Sequence, residues 1–452
     1  MNILTTCIGI IIISLFFLKI RWGISIYLLF FIFFPFGGKV LGFNSEFIIP
    51  ISLIIAMVYS FIRQHEIKRY DFTPFKPFIL LYVLLFFEII FQQDTPLTWQ
   101  FKSWEGTIAS ILILPIAIWN VSRYDYKSIK LFRNTIVIST LIIVIYGLYL
   151  TTLNGDNPYI FYMATLSGQE LREAQFGEQS NRLLIKVSSV FPHPMTFGLF
   201  LSLIYIYIYS LKEKIGNLMT YLITFLSITC IFFSGIRTPI ATLFISIILY
   251  ILMTKRFKLV FYLVFISIVI YFTLSNVYPA VFETIQSIFS NNNTKVGGSS
   301  SEMRIEQLLG CFTEISSNPI FGKGFGWNIY YLLSHENGHP TILHFESLMY
   351  IILCNFGLIG LIIWIGCFKK LFATIKRLSK SQESYIQLTI LTVTYLSYSL
   401  ITGEYGYMKY FVLIYTLILI EKSKKQSNNH LKKYESKNHC TLSTTIPSYT
   451  RK

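Results

Sequence analysis

Acidic side chains are scarce in this chain: 22 Asp and Glu stand against 38 Lys and Arg in 452 residues, and charged residues make up only 13%. With 54% hydrophobic residues and a mean hydropathy of +0.58, so little charge excludes an ordinary soluble fold. Cysteine is also thin. Of six, only Cys311 lies in a long loop, while Cys230, Cys354 and Cys367 fall in apolar runs and Cys440 in a basic tail, which excludes a disulfide framework and gives no zinc spacing. No secretory leader pattern precedes the first apolar run, Ile3 to Leu18, so the amino terminus is expected to be retained. No internal repeat is visible, and with it the inverted-repeat pattern of many secondary transporters is missing.

What is abundant is apolar and aromatic: 41 Phe and 30 Tyr occupy membrane-length runs. The runs fall at 3–18, 23–37, 47–62, 77–93, 104–120, 131–150, 188–210, 218–233, 239–254, 259–275, 347–368, 385–401 and 408–420. The expected fold is therefore all-α, a polytopic transmembrane helical bundle of about 12–13 spans with a large, partly helical extracytoplasmic loop. The net charge of +16 sits in the short connections between runs, so topology accounts for it and a nucleic-acid partner is not expected. Alternation groups the basic connections around Lys19, Arg21, Lys68, Arg69, Arg123, Lys127, Lys212, Lys214, Lys255, Arg256, Lys369 and Lys376 on one side, which the positive-inside rule makes cytoplasmic. The long connections 151–187 and 276–346 then face outward, as does the amino terminus. The domain plan is a membrane domain, 1–421, and a basic cytoplasmic tail, 422–452, solvated or resting on anionic lipid.

Chemistry-bearing residues gather in the outward segments. Arg237 stands in the turn Ser234-Gly-Ile-Arg-Thr-Pro239 between two apolar runs, where unpaired helix amides and the positive end of the dipole favour an anion. It is read as half of a phosphate site; snorkelling to headgroups is the alternative. In the second long loop, Ile305, Leu308, Leu309, Phe312 and Ile315 recur at helical spacing behind a capping pair, Ser299 and Glu302, so an amphipathic helix is expected on the outer face with Arg304 in its first turn. A glycine-rich turn, Pro319-Ile-Phe-Gly-Lys-Gly-Phe-Gly326, follows. His335, His339 and His344 tempt a metal assignment, but Asn337-Gly338 and Pro340 break any helix that would align them, so no metal site is expected. His344 stands out because a helix beginning near it would hold it at the interface; with 344 inside that helix, Glu346 would point about 200° away. His193, in Phe191-Pro-His-Pro194, enters its span between two prolines that fix its angle. A structural role is the stronger reading for His193 and an equal one for His344. Glu88 and Glu105 lie near the outer ends of their runs as functional, capping or pairing carboxylates, and Gly357 and Gly360 read as helix packing.

In their order and common sidedness, Ser234 to Pro239, Met303-Arg304-Ile-Glu, Asn318 to Gly326, His344-Phe-Glu-Ser-Leu348 and Asn355-Phe-Gly-Leu-Ile-Gly-Leu361 resemble the O-antigen ligase and polymerase family. Phe191 to Pro194 resembles a further family element, and the resemblance covers about residues 185–368. Family members often carry Asn where Phe345-Glu346 stands here. The resemblance implies glycosyl transfer outside the bacterial cytoplasmic membrane, from a polyprenyl-pyrophosphate-linked oligosaccharide to an acceptor hydroxyl, with no nucleotide sugar, cofactor or essential metal. Arg237 and Arg304 would clamp the pyrophosphate, and His344 would take the acceptor's proton. His193, Lys323 and Glu346 are the substrate-binding candidates. A repeat-unit polymerase for O-antigen or capsule is the leading expectation. A ligase to lipid A core is the nearest rival, and a flippase for the same lipid the rival of another class, though a carrier should place ionisable groups along a midmembrane path. Membrane lipids, a chain-length regulator and a flippase are the expected partners.

Overall fold

A backbone inside hydrocarbon must satisfy its own polar groups, so apolar runs of this length fold as helices. The computed structural model describes residues 3–63, 70–92, 94–153, 156–167, 186–258, 301–335, 338–403 and 405–422. Twelve of the thirteen apolar runs coincide with helices there; the run 259–275 lies outside the described residues, as do Ser299 of the expected cap and the tail from 423. Among the described residues, five helices are long and apolar enough to cross a membrane: Thr73–Phe91, Leu97–Tyr124, Tyr126–Thr152, Arg237–Thr254 and Leu348–Leu378. Five more apolar helices are shorter, and the described strands form only the small hairpin Lys39–Val40 with Phe43–Asn44. The chain is an all-α polytopic membrane protein. Its surface agrees, because Ile138, Ile142, Ile145 and Tyr149 form an exposed apolar stripe on one face of Tyr126–Thr152, opposite the buried Ile136, Ile143 and Val144. A stripe of that kind suits lipid and not water.

The helix Pro194–Ser210 is buried on nearly every side and forms the centre of the packing, against Asn217–Phe233, Arg237–Thr254 and Gln382–Ile401. Gly198 permits this closeness, since a Cβ there would stand 2.4 Å from Pro239 Cγ. Ion pairs join connections that alternation puts on one side: Arg21 with Asp125 at 3.1 Å, Arg123 with Asp71 at 3.5 Å, Lys422 with Glu383 at 2.9 Å, and buried Glu421 with Arg133 at 3.3 Å and with Lys214.

The span Leu348–Leu378 is broken, which corrects the packing role expected for Gly357. Gly357 has φ 60° and ψ −153°, outside the helical region, and the glycine-rich segment fills the gap. Leu358 and Ile359, whose amides the break frees, donate to the carbonyls of Pro319 and Ile320 at 3.0 and 3.1 Å. In return Lys323 and Gly324 donate to the freed carbonyls of Cys354 and Asn355 at 2.8 and 2.9 Å. Side chains complete the plug. Gln92 donates to the Phe321 and Asn355 carbonyls at 2.6 and 3.1 Å, Gln100 accepts from the Phe325 amide at 3.0 Å, and Asn355 pairs with Asn328 at 2.9 and 3.1 Å. Non-helical backbone is tolerated within a membrane domain where its freed groups find partners, as the Cys354 and Asn355 carbonyls and the Leu358 and Ile359 amides do here.

Candidate functional site

The helix Gln382–Ile401 ends at one corner of the bundle, and its last carbonyls have no partner within the helix. Three separate segments make four bonds to consecutive residues there. Ser347 Oγ donates to the Leu400 carbonyl at 2.8 Å, a guanidinium N–H of Arg304 donates to the Ile401 carbonyl, the hydroxyls of Thr238 and Thr402 bond at 3.0 Å, and the Gly403 amide donates to the Glu346 carbonyl at 2.9 Å. A cation suits the negative end of a helix dipole, so this placement of Arg304 follows from elementary electrostatics. Its guanidinium carries five N–H donors, and the carbonyl bond uses one. The fold needs glycine at 403: a Cβ there would stand 2.6 Å from Ser399 Cα.

Arg237 adjoins this corner as the first residue of its helix, one position before Thr238, behind Gly235 at φ 69° and an extended Ile236. Arg304 is half-buried in the helix Ser301–Glu314, and its own carbonyl accepts the Tyr350 hydroxyl at 2.9 Å. That helix faces the protein with Leu308, buried Cys311 and Ile315, and Glu314, so only part of the expected stripe packs inward; Ile305, Leu309 and Phe312 face outward. His193 is linked through Met195 to Tyr398, which lies one helical turn before the corner. Its Nδ1 accepts the Met195 amide at 3.1 Å, capping Pro194–Ser210, while the Met195 carbonyl accepts the Tyr398 hydroxyl at 2.7 Å. The Val187 amide ties the same strand of chain to the Ser234 carbonyl at 3.2 Å.

Two expectations change. His344 is exposed in a turn, because the helix starts at Leu348 with Ser347 as its cap, so the angular argument separating His344 from Glu346 no longer applies. The residues flanking His344, Leu343 and Phe345, are both left-handed at φ 57° and 56°, a conformation that costs a non-glycine residue about 1–3 kcal/mol and persists where surrounding structure enforces it. Lys323 is held elsewhere, with its ammonium 3.4 Å from Asp94 and 3.5 Å from Glu314. Glu314 is ten residues from Arg304 on one helix, about 15 Å along its axis. Arg237, Arg304 and Glu346 thus share a corner that Lys323 does not, and His193 connects to it through Met195 and Tyr398. No His, Cys, Asp and Glu group with the makings of a metal site occurs among the described residues. The Leu400–Gly403 corner escaped the sequence reading; its signal is the Thr-Gly pair that ends the run 385–401.

Burial, and then the charge of Lys186, hold the His193 imidazole down at about 4 from its ordinary 6.5. Between those values the unfolded chain takes a proton that the folded chain refuses, so stability falls as pH drops from 6.5 toward 4. Asparagine keeps an acceptor for the Met195 amide and does not titrate. His193→Asn should therefore flatten the acid side of a melting-temperature profile, and an unchanged slope would assign the acid sensitivity to other groups.

The helices and their packing define the class, an all-α polytopic membrane protein. Residues 222–365 match the family model described as O-antigen ligase, and this supports assigning the chain to the O-antigen ligase and polymerase family. The matched stretch holds Arg237, Arg304, the glycine-rich plug and His344, and it ends before Leu400. It supports a ligase or polymerase type of function without separating the two. No curated protein matches the chain.

Proposed function

We propose that this protein is a polysaccharide repeat-unit polymerase of the bacterial cytoplasmic membrane, working at its outer face on polyprenyl-pyrophosphate-linked oligosaccharides. The observation that carries this reading is that the Arg304 guanidinium and Thr238, the neighbour of Arg237, engage the consecutive residues Ile401 and Thr402. Two arginines at one corner suit a diphosphate: each offers a planar fork to phosphate oxygens, in a setting where developing charge is strongly felt. In the reaction the acceptor oxygen forms a bond to the anomeric carbon while the bond to the phosphate oxygen breaks, and the electron pair leaves with the polyprenyl pyrophosphate. His344 takes the acceptor's proton. The leaving pyrophosphate needs no proton, so no separate acid is assigned. His193 and Glu346 bind substrate around the arginines, while Lys323 supports the plug.

The family description favours a second reading, in which lipid A core is the acceptor and the donor half of the reaction is unchanged. Reconstitution with lipid-linked repeat units tests both. The polymerase reading expects a ladder of lengthening glycans from repeat units alone, lost in His344→Ala. Transfer to lipid A core with no ladder establishes the ligase instead. Movement of labelled lipid-linked glycan across vesicles, with neither product, removes both in favour of a flippase.

A further inference from the structure

The turn that carries His344 is built around a buried histidine for which the transfer chemistry has no use. His339 is 7% exposed, and its Nδ1 lies 3.2 Å from the Thr341 amide and 3.1 Å from the Ile342 amide. Backbone amides only donate, so Nδ1 is a bare acceptor and the ring proton sits on Nε2. Nε2 faces Glu314 Oε2 at 3.2 Å, and the other oxygen of that carboxylate lies 3.5 Å from the Lys323 ammonium. One ring therefore ties the turn to the end of the Arg304 helix.

The turn itself is closed. His339 and Leu343 exchange two backbone hydrogen bonds, at 2.8 and 2.9 Å. Ile342 and Phe345 are buried on either side of His344, with the Phe345 ring 5.6 Å from Trp327 and 5.8 Å from His339. Between these anchors the His344 ring is left exposed over Gly338, where a Cβ would meet its Cε1 at 3.5 Å. The two left-handed residues, Leu343 and Phe345, turn the chain so that the His344 side chain is exposed between buried Ile342 and buried Phe345. A buried ring that caps two amides and leans on a carboxylate can fix such a turn, as outer partners fix ligands in metal sites.

We propose that His339 and Glu314 are positioning residues that set the location of His344 relative to Arg304. The proposal rests on the role given to His344 above, and its test separates the two. His339→Leu removes both the cap and the link to Glu314, whereas His339→Asn keeps an acceptor for the two amides. In the reconstituted full chain, His339→Leu should lower kcat about tenfold or more with KM for the lipid-linked donor unchanged, and His339→Asn should recover most of the loss. Glu314→Gln, which keeps an oxygen toward Nε2–H, should fall between wild type and His339→Leu. A second readout needs no activity: a nitroxide on His344→Cys, with Cys7 and Cys440 replaced by serine, should give an immobile spectrum that becomes mobile on adding His339→Leu and immobile again with His339→Asn. Equal label mobility in all three overturns the proposal whatever His344 does. Equal kcat losses in the Leu and Asn variants overturn it as well. If His344→Ala itself transfers normally while the label responds as expected, the positioning stands and the base assignment falls.

Discussion

Arg304→Lys should lower the rate of glycan transfer about a hundredfold while leaving the fold intact, because removing one donor aimed at developing oxyanion charge costs about 10²–10³ in rate. Lysine can still donate to the Ile401 carbonyl, which accepts a single N–H from Arg304, so the corner keeps its tie. What lysine lacks is the second, parallel N–H of a fork. Arg237→Lys should cost a similar factor for the same reason. Both arginines are taken to hold one pyrophosphate, so the double variant should lose less than the product of the single losses. Rates measured in proteoliposomes at matched protein content decide this. Near-normal product from both single variants removes the clamp, and a strictly multiplicative double loss assigns the two arginines to separate substrates.

The second large effect belongs to the plug. Gly357→Ala would place a Cβ 2.6 Å from the carbonyl oxygens of both Pro319 and Ile320, at a φ of 60° that alanine resists. Those carbonyls accept the Leu358 and Ile359 amides, so the segment must withdraw and leave backbone donors unpaired inside the membrane domain. Strain of about 1–3 kcal/mol and two orphaned amides of a similar cost each give a destabilisation on the order of 3–9 kcal/mol. Gly366→Ala in the second half of the same helix is the control, since nothing lies within 4 Å of its Cβ. The melting midpoint in detergent should drop by several degrees for the first variant and stay in place for the second. Equal midpoints would show that the break does not depend on glycine.

The Ser234–Pro239 turn and the helix after it, the proline-fixed entry at His193 and the helix carrying Arg304 follow from local signals: apolar period, proline near a first turn, a loop of glycine and serine ahead of a stripe. Local signals also put Arg237 and Arg304 in connections on one side. They misassign Gly357, because a glycine inside an apolar run looks the same whether another helix or an inserted loop approaches it. They leave Lys323 open as well, since the carboxylates that hold it, Asp94 and Glu314, come from distant and unrelated segments.

The sequence by itself determined that this is a helical membrane protein, which runs become helices, and which turns carry arginine and histidine, because each depends on hydrophobicity and backbone preference over a few residues. Only the tertiary structure decided that Thr238, Arg304, Glu346 and Ser347 meet on residues 400–403, and that residues 318–324 mend a broken span. Those bonds join residues up to 164 positions apart, and apart from the Thr238–Thr402 hydroxyl pair each uses a backbone group of the kind every residue carries. The Thr402-Gly403 pair marks where the helix stops, but not which distant segments meet it once the chain is folded.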